Sequence, residues 1–479
     1  MTAAITPDTP AAPSAAPSAI PSVASPAVQP TATSKPSLAA PLGTVKGNAT
    51  FVAGGLGAVK GIRCAGVSAG FRRNPNRKDL ALIVTEKPAV SAGVFTRNVF
   101  CAAPVNVSRA HLARQSMAAA GTDAGAGTGT DEKGARAIVL NSGNANASTG
   151  DPGMQTAIRT AQLTAAQLGC DPHQVLVAST GVIGVPLGED PFATGIPQAL
   201  AALGAADGAA LDSGLAAAQA IMTTDTHPKY AAVTFAVAQG DGTEVTYTVG
   251  GMVKGSGMIQ PNMATLLGVF ATDVWLTQEA ADAALRLVVD ATLNKVTVDS
   301  DTSTNDSVYF LATGATAGET IACGTPAFDA LVAAFTTLSE DLTRQIAYDG
   351  EGATKLVTVQ VAGAVDDAQA ETAARAVANS PLVKTAIAGH DANWGRIAMA
   401  IGKSGAAFRQ EDVAISIMGL PVCEGGLPVP FDEAEALRRF EQDAEIILDI
   451  DLGAGEGQAR VWTCDLTHGY ISINGDYRS

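Results

Sequence analysis

The sequence predicts a mixed α and β fold, and three observations predict it. Apolar β runs alternate with Ala-rich helical windows from about Val45 onward. Gln239-Gly-Asp-Gly242 separates two alternating runs as a hairpin signal, and strands paired directly in this way argue against a purely parallel, doubly wound sheet. Closely spaced strand candidates near the C-terminus then indicate a second sheet.

Taken in order, residues 1–44 are dominated by Ala, Pro, Ser and Thr, with almost no large side chains. Such a segment cannot bury enough surface to offset its ordering entropy, so a disordered tail is expected. It carries Lys35 and no Arg, which disfavours a mitochondrial transit peptide. Strands are expected at Leu80–Val84, Ala137–Leu140, Val175–Ala178, Val233–Val237, Val245–Val249, Leu266–Ala271, Val308–Leu311 and Val357–Val361. Ala280–Leu293 and Ala327–Leu338 carry helical spacing, while Gly121 to Gly134 has nothing to anchor a core and is expected as a surface loop. Val413–Ile417, Ile446–Asp451, Ala459–Cys464 and Tyr470–Asn474 supply the candidate strands of the second sheet.

Composition narrows the function. At 479 residues and 47% hydrophobic the chain is long enough for two or three core regions. No apolar run approaches the roughly 18 to 20 residues of a membrane helix, so neither a membrane nor its surface is an expected partner. Thirty Lys and Arg against 46 Asp and Glu leave a formal charge of −16 with no basic cluster, which argues against nucleic acid. Six scattered cysteines with no CxxC pair and no secretory signal fit reduced thiols in the cytoplasm and no metal centre.

The most unusual stretch is Gly250 to Asp273, where a Gly-rich loop carrying Lys254 leads through Pro261-Asn262 into Ala264-Thr265 and an apolar strand. It reads either as a flexible connection or as a functional junction. A Thr hydroxyl needs a base, and a cut between Ala264 and Thr265 would expose an α-amine with a reference pKa of about 7.7 to 8.0 on the nucleophile itself. No Ser/His/Asp or Cys/His set is then required, and none of the five histidines sits in a GxSxG-type motif. After Val175–Ala178 comes Ser179-Thr-Gly-Val-Ile-Gly184, either an ordinary turn or a place where the Thr180 hydroxyl and the Gly181 N–H point at one oxygen. Asn141 to Asn146 is a polar turn of similar kind. Four further segments are too polar for their surroundings: Thr223–Lys229, Asp299–Asp306, Asp349–Lys355 and Gly389–Arg396. Each reads as a loop, a cap or part of a site. The acids near Asp301 lack the Gly and distant Glu of a calcium loop.

Read together, GMVKGSGMIQPNMATLLGVFATD, STGVIG, TTDTHPK, DTSTND, DGEGATK, GHDANWGRI and YISINGDYRS resemble the arginine-biosynthesis glutamate N-acetyltransferase family, also called ornithine acetyltransferase. The resemblance runs from about Val45 to Ser479. It implies stacked β-sheets flanked by helices and a precursor that cleaves itself between Ala264 and Thr265. The implied chains are 45–264 and 265–479, assembled as two of each in a heterotetramer. Thr265 is then the nucleophile, Thr180 and Gly181 form the oxyanion hole, and Thr223, Lys254, Thr265, Glu351, Asn474 and Ser479 bind substrate. The implied substrates are N2-acetylornithine and glutamate, with no cofactor and acetyl-CoA left open as a second donor. Lys254 facing a carboxylate and Glu351 an ammonium would orient a small zwitterion.

The sequence departs from the family where Gly475 and Ser479 replace Ala and Thr, and where Ser300 stands in place of Gly. Two other readings of the same residues stand beside this one. An N-terminal-nucleophile amidase or aminopeptidase would use water as acceptor, and a non-catalytic binding protein would keep its chain intact.

Overall fold

The computed structural model describes residues 45–119, 134–204, 210–260 and 266–476. The expected tail, nearly all of the Gly121–Gly134 loop, the Ala264–Thr265 junction and Ser479 lie outside the described residues. In chain order the strands are β1 (Thr50–Val52), β2 (Ile62–Val67), β3 (Leu80–Phe95), β4 (Ala135–Asn144), β5 (Val175–Val182), β6 (Lys229–Ala238), β7 (Glu244–Lys254), β8 (Leu267–Thr272), β9 (Ser307–Ala312), β10 (Leu356–Ala364), β11 (Ala414–Ile417), β12 (Leu420–Glu424), β13 (Leu427–Pro428), β14 (Glu445–Asp451) and β15 (Gly457–Cys464). The helices are α1 (Ala103–Ala119), α2 (Gly150–Leu168), α3 (Asp190–Gly204), α4 (Ala210–Ile221), α5 (Gln278–Ala291), α6 (Pro326–Tyr348), α7 (Asp367–Ala378), α8 (Pro381–Ala388), α9 (Trp394–Gly402), α10 (Glu433–Gln442) and α11 (His468–Asp476).

The long strand β3 is the pivot of the larger sheet. Its first half, Leu80–Val84, pairs with β2 and β4, and its second half, Val90–Phe95, pairs with β9. The register shifts between Val84 and Ala89, so the nine-stranded sheet turns there and its two halves stack. Successive strand residues face opposite sides. Leu267, Val269, Tyr309 and Leu311 therefore meet Ile138, Leu140, Leu176 and Ala178 in one inner core. The Tyr309 hydroxyl crosses it and donates to the Val177 carbonyl at 2.9 Å.

Helices cover the outer faces. Phe270 and Phe310, the outward neighbours of those strand residues, pack on Phe335 of α6 with ring centroids 4.9 and 4.8 Å away. Full burial of each such side chain is worth about 1.5–3 kcal/mol. On the opposite face α2 and α3 bring Ala157, Ala161, Phe192 and Ile196 onto Leu82, Val139 and Val177. The result is a four-layer α/β/β/α sandwich, as the stacked-sheet expectation required. β6 and β7 pair antiparallel through the Gln239–Gly242 turn, closed by the Gly242 N–H to the Gln239 carbonyl at 3.0 Å.

The expected second sheet forms from β13, β12, β11, β14, β10 and β15, with helices α7 to α10 sharing its apolar core. One expected strand is corrected. Tyr470–Asn474 belongs to helix α11, because the segment finds no strand to pair with and closes local bonds instead: Ser472 Oγ to the His468 carbonyl at 3.2 Å and Asn474 Nδ2 to the Tyr470 carbonyl at 3.2 Å. Its alternation of Ile471 and Ile473 points to water, with Ile471 69% exposed. No helix among the described residues is long and apolar enough to cross a membrane.

Candidate active site

A cleft opens where β5, β7 and β8 reach the same end of the sandwich, and Thr180, Gly181, Thr223, Lys254, Glu351 and Asn474 all line it. These are the expected site residues that the described structure contains. The remaining three, Ala264, Thr265 and Ser479, lie outside the described residues, and the cleft wall resumes with Leu266.

Thr180 and Gly181, expected in a turn, lie instead within β5, whose parallel pairing with β4 sets Gly181 opposite Gly143. Gly181 has φ +133°, and a Cβ there would lie 2.3 Å from the Gly143 carbonyl carbon and 2.6 Å from Asn144 N. Only glycine permits that approach. Asn305 fastens this end of β5 from the other side, its Nδ2 donating to the Ser179 carbonyl at 2.8 Å and to the Ala145 carbonyl. The polar turn expected at Asn141–Asn146 is corrected: β4 runs on to Asn144, and only past it does the chain bend, with Asn146 N donating to Asn144 Oδ1 at 2.7 Å.

The Gly-rich loop is equally constrained. β7 ends on buried Lys254, whose Nζ lies 3.4 Å from Thr180 Oγ1. Gly255 N donates to Asp225 Oδ1 at 2.8 Å, and Ser256 Oγ donates to the Asp349 carbonyl at 2.7 Å. A Cβ on Gly257 would meet Glu351 Oε2 at 2.3 Å, so the glycine lets the carboxylate lie on the loop. Asn474 Nδ2 then donates to that same oxygen at 2.6 Å, which is what the helical form of the C-terminal segment accomplishes. Asp299 closes the loop by accepting from Met258 N at 2.6 Å and Ile259 N at 2.8 Å. Ser300, where the resemblance implied Gly, adopts φ +66°, the left-handed conformation that favours glycine.

Behind the lining lies an ion group drawn from two of the polar segments, Thr223–Lys229 and Asp349–Lys355, whose pairing the sequence did not reveal. Lys229, fully buried, pairs with Asp225 at 2.7 Å and Asp349 at 2.6 Å. Asp225 also accepts from Thr223 N at 2.8 Å. Burial alone would raise both carboxyls, but Lys229 and Lys254 hold Asp225 well below the usual range, and His227 and Lys229 hold Asp349 below it. The Lys229 ammonium is held above its ordinary value against burial by the two acids. For Lys254, burial prevails over Asp225, Asp306 and Glu351 and lowers its pKa.

Three of the four polar segments thus converge on the cleft. Asp299–Asp306 adds Ser303, Thr304, Asn305 and Asp306 to its lining, residues that only the DTSTND string hinted at. The fourth segment does not converge: Asn393 caps α9 by accepting from Arg396 N at 3.1 Å, and Trp394 packs against the second core. Chemically the cleft offers hydroxyls, backbone N–H groups, one buried cation and acids, the complement of a small zwitterion rather than of a polymer.

Residues 63–479 match the model of the ArgJ family. The arginine biosynthesis bifunctional protein ArgJ of Nitratidesulfovibrio vulgaris is 45% identical over 424 residues, 88% of this chain and 99% of that protein. The protein of the same name from Symbiobacterium thermophilum is 44% identical over 430 residues, 90% of this chain and 100% of that protein. Among solved structures, an ornithine acetyltransferase from Mycobacterium tuberculosis, complexed with ornithine, is 35% identical. It covers 45% of this chain and 100% of that one, with a TM-score of 0.36.

Proposed function

The chain belongs to the ArgJ family, and on that premise we propose that it transfers an acetyl group from N2-acetylornithine to glutamate through an ester on Thr265, formed after self-cleavage between Ala264 and Thr265. By family membership the chain is an acyltransferase of arginine biosynthesis. The observation that carries the finer reading is the convergence of Thr180, Gly181, Lys254, Glu351 and Asn474, scattered over nearly 300 residues of sequence, on one cleft whose wall resumes at Leu266, directly after Thr265.

In this reading the hydroxyl of Thr265 attacks the acetyl carbonyl while its own α-amine takes the proton. The developing oxyanion is met by the Thr180 hydroxyl and the Gly181 N–H. A single donor of this kind contributes roughly 10²- to 10³-fold in rate. Ornithine leaves as the amine, and the amine of glutamate attacks the ester to give N-acetylglutamate and free Thr265. Lys254 faces the substrate carboxylate, Glu351 an ammonium, and Thr223, Asn474 and Ser479 complete the binding set. The reaction needs no cofactor, and acetyl-CoA remains a second donor to assay. In this reading the enzyme acts in the cytoplasm, as two 45–264 and two 265–479 chains.

The test is the intact mass of the protein beside a Thr265→Ala variant. Two pieces in the wild type, the smaller beginning Thr-Leu-Leu-Gly, and one uncut chain in the variant are expected. An uncut wild type would remove the α-amine base and with it this mechanism. Stoichiometric release of acetate in the presence of excess glutamate would instead favour the amidase reading.

A further inference from the structure

Asp306 is the cleft residue whose chemistry is left unanswered. It precedes β9, which runs parallel to β8, and the next residue's N–H, that of Ser307, donates to the Leu266 carbonyl at 3.1 Å. The preceding residue, Asn305, is tied to the Ser179 carbonyl at 2.8 Å. Asp306 is therefore suspended between the Thr180–Gly181 end of β5 and the start of β8. Its side chain is 2% exposed and lines the cleft, yet its Oδ2 has no hydrogen-bond partner among the described residues. An orphaned carboxylate oxygen in so dry a place is a liability for folding. It is retained at a cleft wall where a ligand's N–H can satisfy it.

We propose that Asp306 is a second amine-binding acid of this cleft beside Glu351, its free Oδ2 accepting a charge-assisted hydrogen bond from the α-nitrogen of the amino-acid substrate. Two further features support the assignment. Glu351, the other acid of the lining, already has one oxygen engaged by Asn474 at 2.6 Å, whereas Asp306 keeps a free oxygen and follows the residue tied to the Ser179 carbonyl, next to Thr180. Burial also holds the Asp306 carboxyl well above the ordinary value, against a hydrogen bond from Ser303 and the Lys254 ammonium. A group so poised gains most from an arriving cation. The cleft then reads as Lys254 for the carboxylate and Asp306 for the nitrogen of an amino acid. This rests on the acetyl-transfer reading only in taking that nitrogen to be the reacting one.

The experiment compares wild type with Asp306→Asn by calorimetric titration of ornithine and by thermal unfolding. The expected result is roughly a 10- to 100-fold weaker ornithine affinity, the range of a lost charge-assisted contact, with a melting temperature equal to or above that of wild type. Asparagine relieves the buried acid while keeping its shape. An affinity within twofold of wild type overturns the proposal. So does a variant that melts lower or fails to fold, since Asp306 would then be a structural residue. Wild-type acetyl transfer is assayed in parallel. If the wild type binds ornithine in an Asp306-dependent manner but transfers no acetyl group, the functional reading fails and the amine site stands.

Discussion

Lys229 Nζ and Asp349 Oδ2 lie 2.6 Å apart with both side chains sealed from solvent, and through this contact the structure joins β6 to the end of α6. Asp225 completes the group at 2.7 Å from the same ammonium. The three residues anchor the segments that carry Thr223, Lys254 and Glu351: Thr223 N and Gly255 N bond Asp225, and Ser256 Oγ bonds the Asp349 carbonyl. One buried cation thus sets the relative position of three stretches of the cleft lining.

Removing that cation strands two buried acids. Lys229→Met is expected to destabilise the protein by about 3–5 kcal/mol, the cost of leaving a buried charge uncompensated. Combining it with Asp225→Asn and Asp349→Asn should recover much of the loss, since neither carboxylate is then left facing a missing cation. Urea unfolding of the single and triple variants measures both. A single variant as stable as wild type would show that the group carries no net charge cost.

The same group sets a pH window. Asp225 and Asp349 titrate below their ordinary value of 3.8, so their contribution is fully present above that value and is lost as pH falls toward their lowered folded values. Lys229 titrates above 10.5, so its contribution is fully present below that value and is lost as pH rises through its raised folded one. Unfolding free energy measured against pH should fall at both ends, and Asp349→Asn should flatten part of the acid limb.

At the end of β5, Thr180→Ala is expected to lower kcat by roughly 10²- to 10³-fold while the chain still melts near the wild-type temperature. Steady-state rates and a melting curve on the same preparation separate the two effects. A loss below tenfold would remove the Thr180 hydroxyl from the oxyanion role.

Gly257→Ala places a methyl group 2.3 Å from Glu351 Oε2 and must displace the carboxylate from Asn474. We expect KM to rise roughly tenfold, the weight of one lost charge-assisted hydrogen bond. Gly475→Ala is the control, because a Cβ there meets nothing within 4 Å. Alanine also favours the helix by about 1 kcal/mol. Equal effects from the two substitutions would show that the Glu351 contact is immaterial.

Most of the fold was legible in the sequence because its strands are apolar runs bounded by Gly and polar turns, a signal that depends only on neighbours along the chain. Val175–Ala178 and Val308–Leu311 lie within the observed strands β5 and β9, and the Gln239–Gly242 hairpin forms at the expected turn. The exception, Tyr470–Asn474, shows the limit of that signal. Its alternation is that of a strand, but a strand needs a partner edge, and whether an edge is free is not written locally.

The sequence by itself determined the chemistry available: a Thr after a small residue, a Gly-rich loop with one Lys, and polar strings too costly to keep in an apolar chain without purpose. Only the tertiary structure decided which of these meet. Segments near residues 180, 225, 254, 306 and 351 come together because β3 turns the larger sheet onto itself and brings the ends of β5, β7 and β8 to one place. The structure sent Gly389–Arg396 elsewhere, to cap α9. It also singled out Lys229 and Asp306, whose importance is a matter of burial: a charge acquires its energetic weight from what surrounds it, and those surroundings exist only in the folded chain.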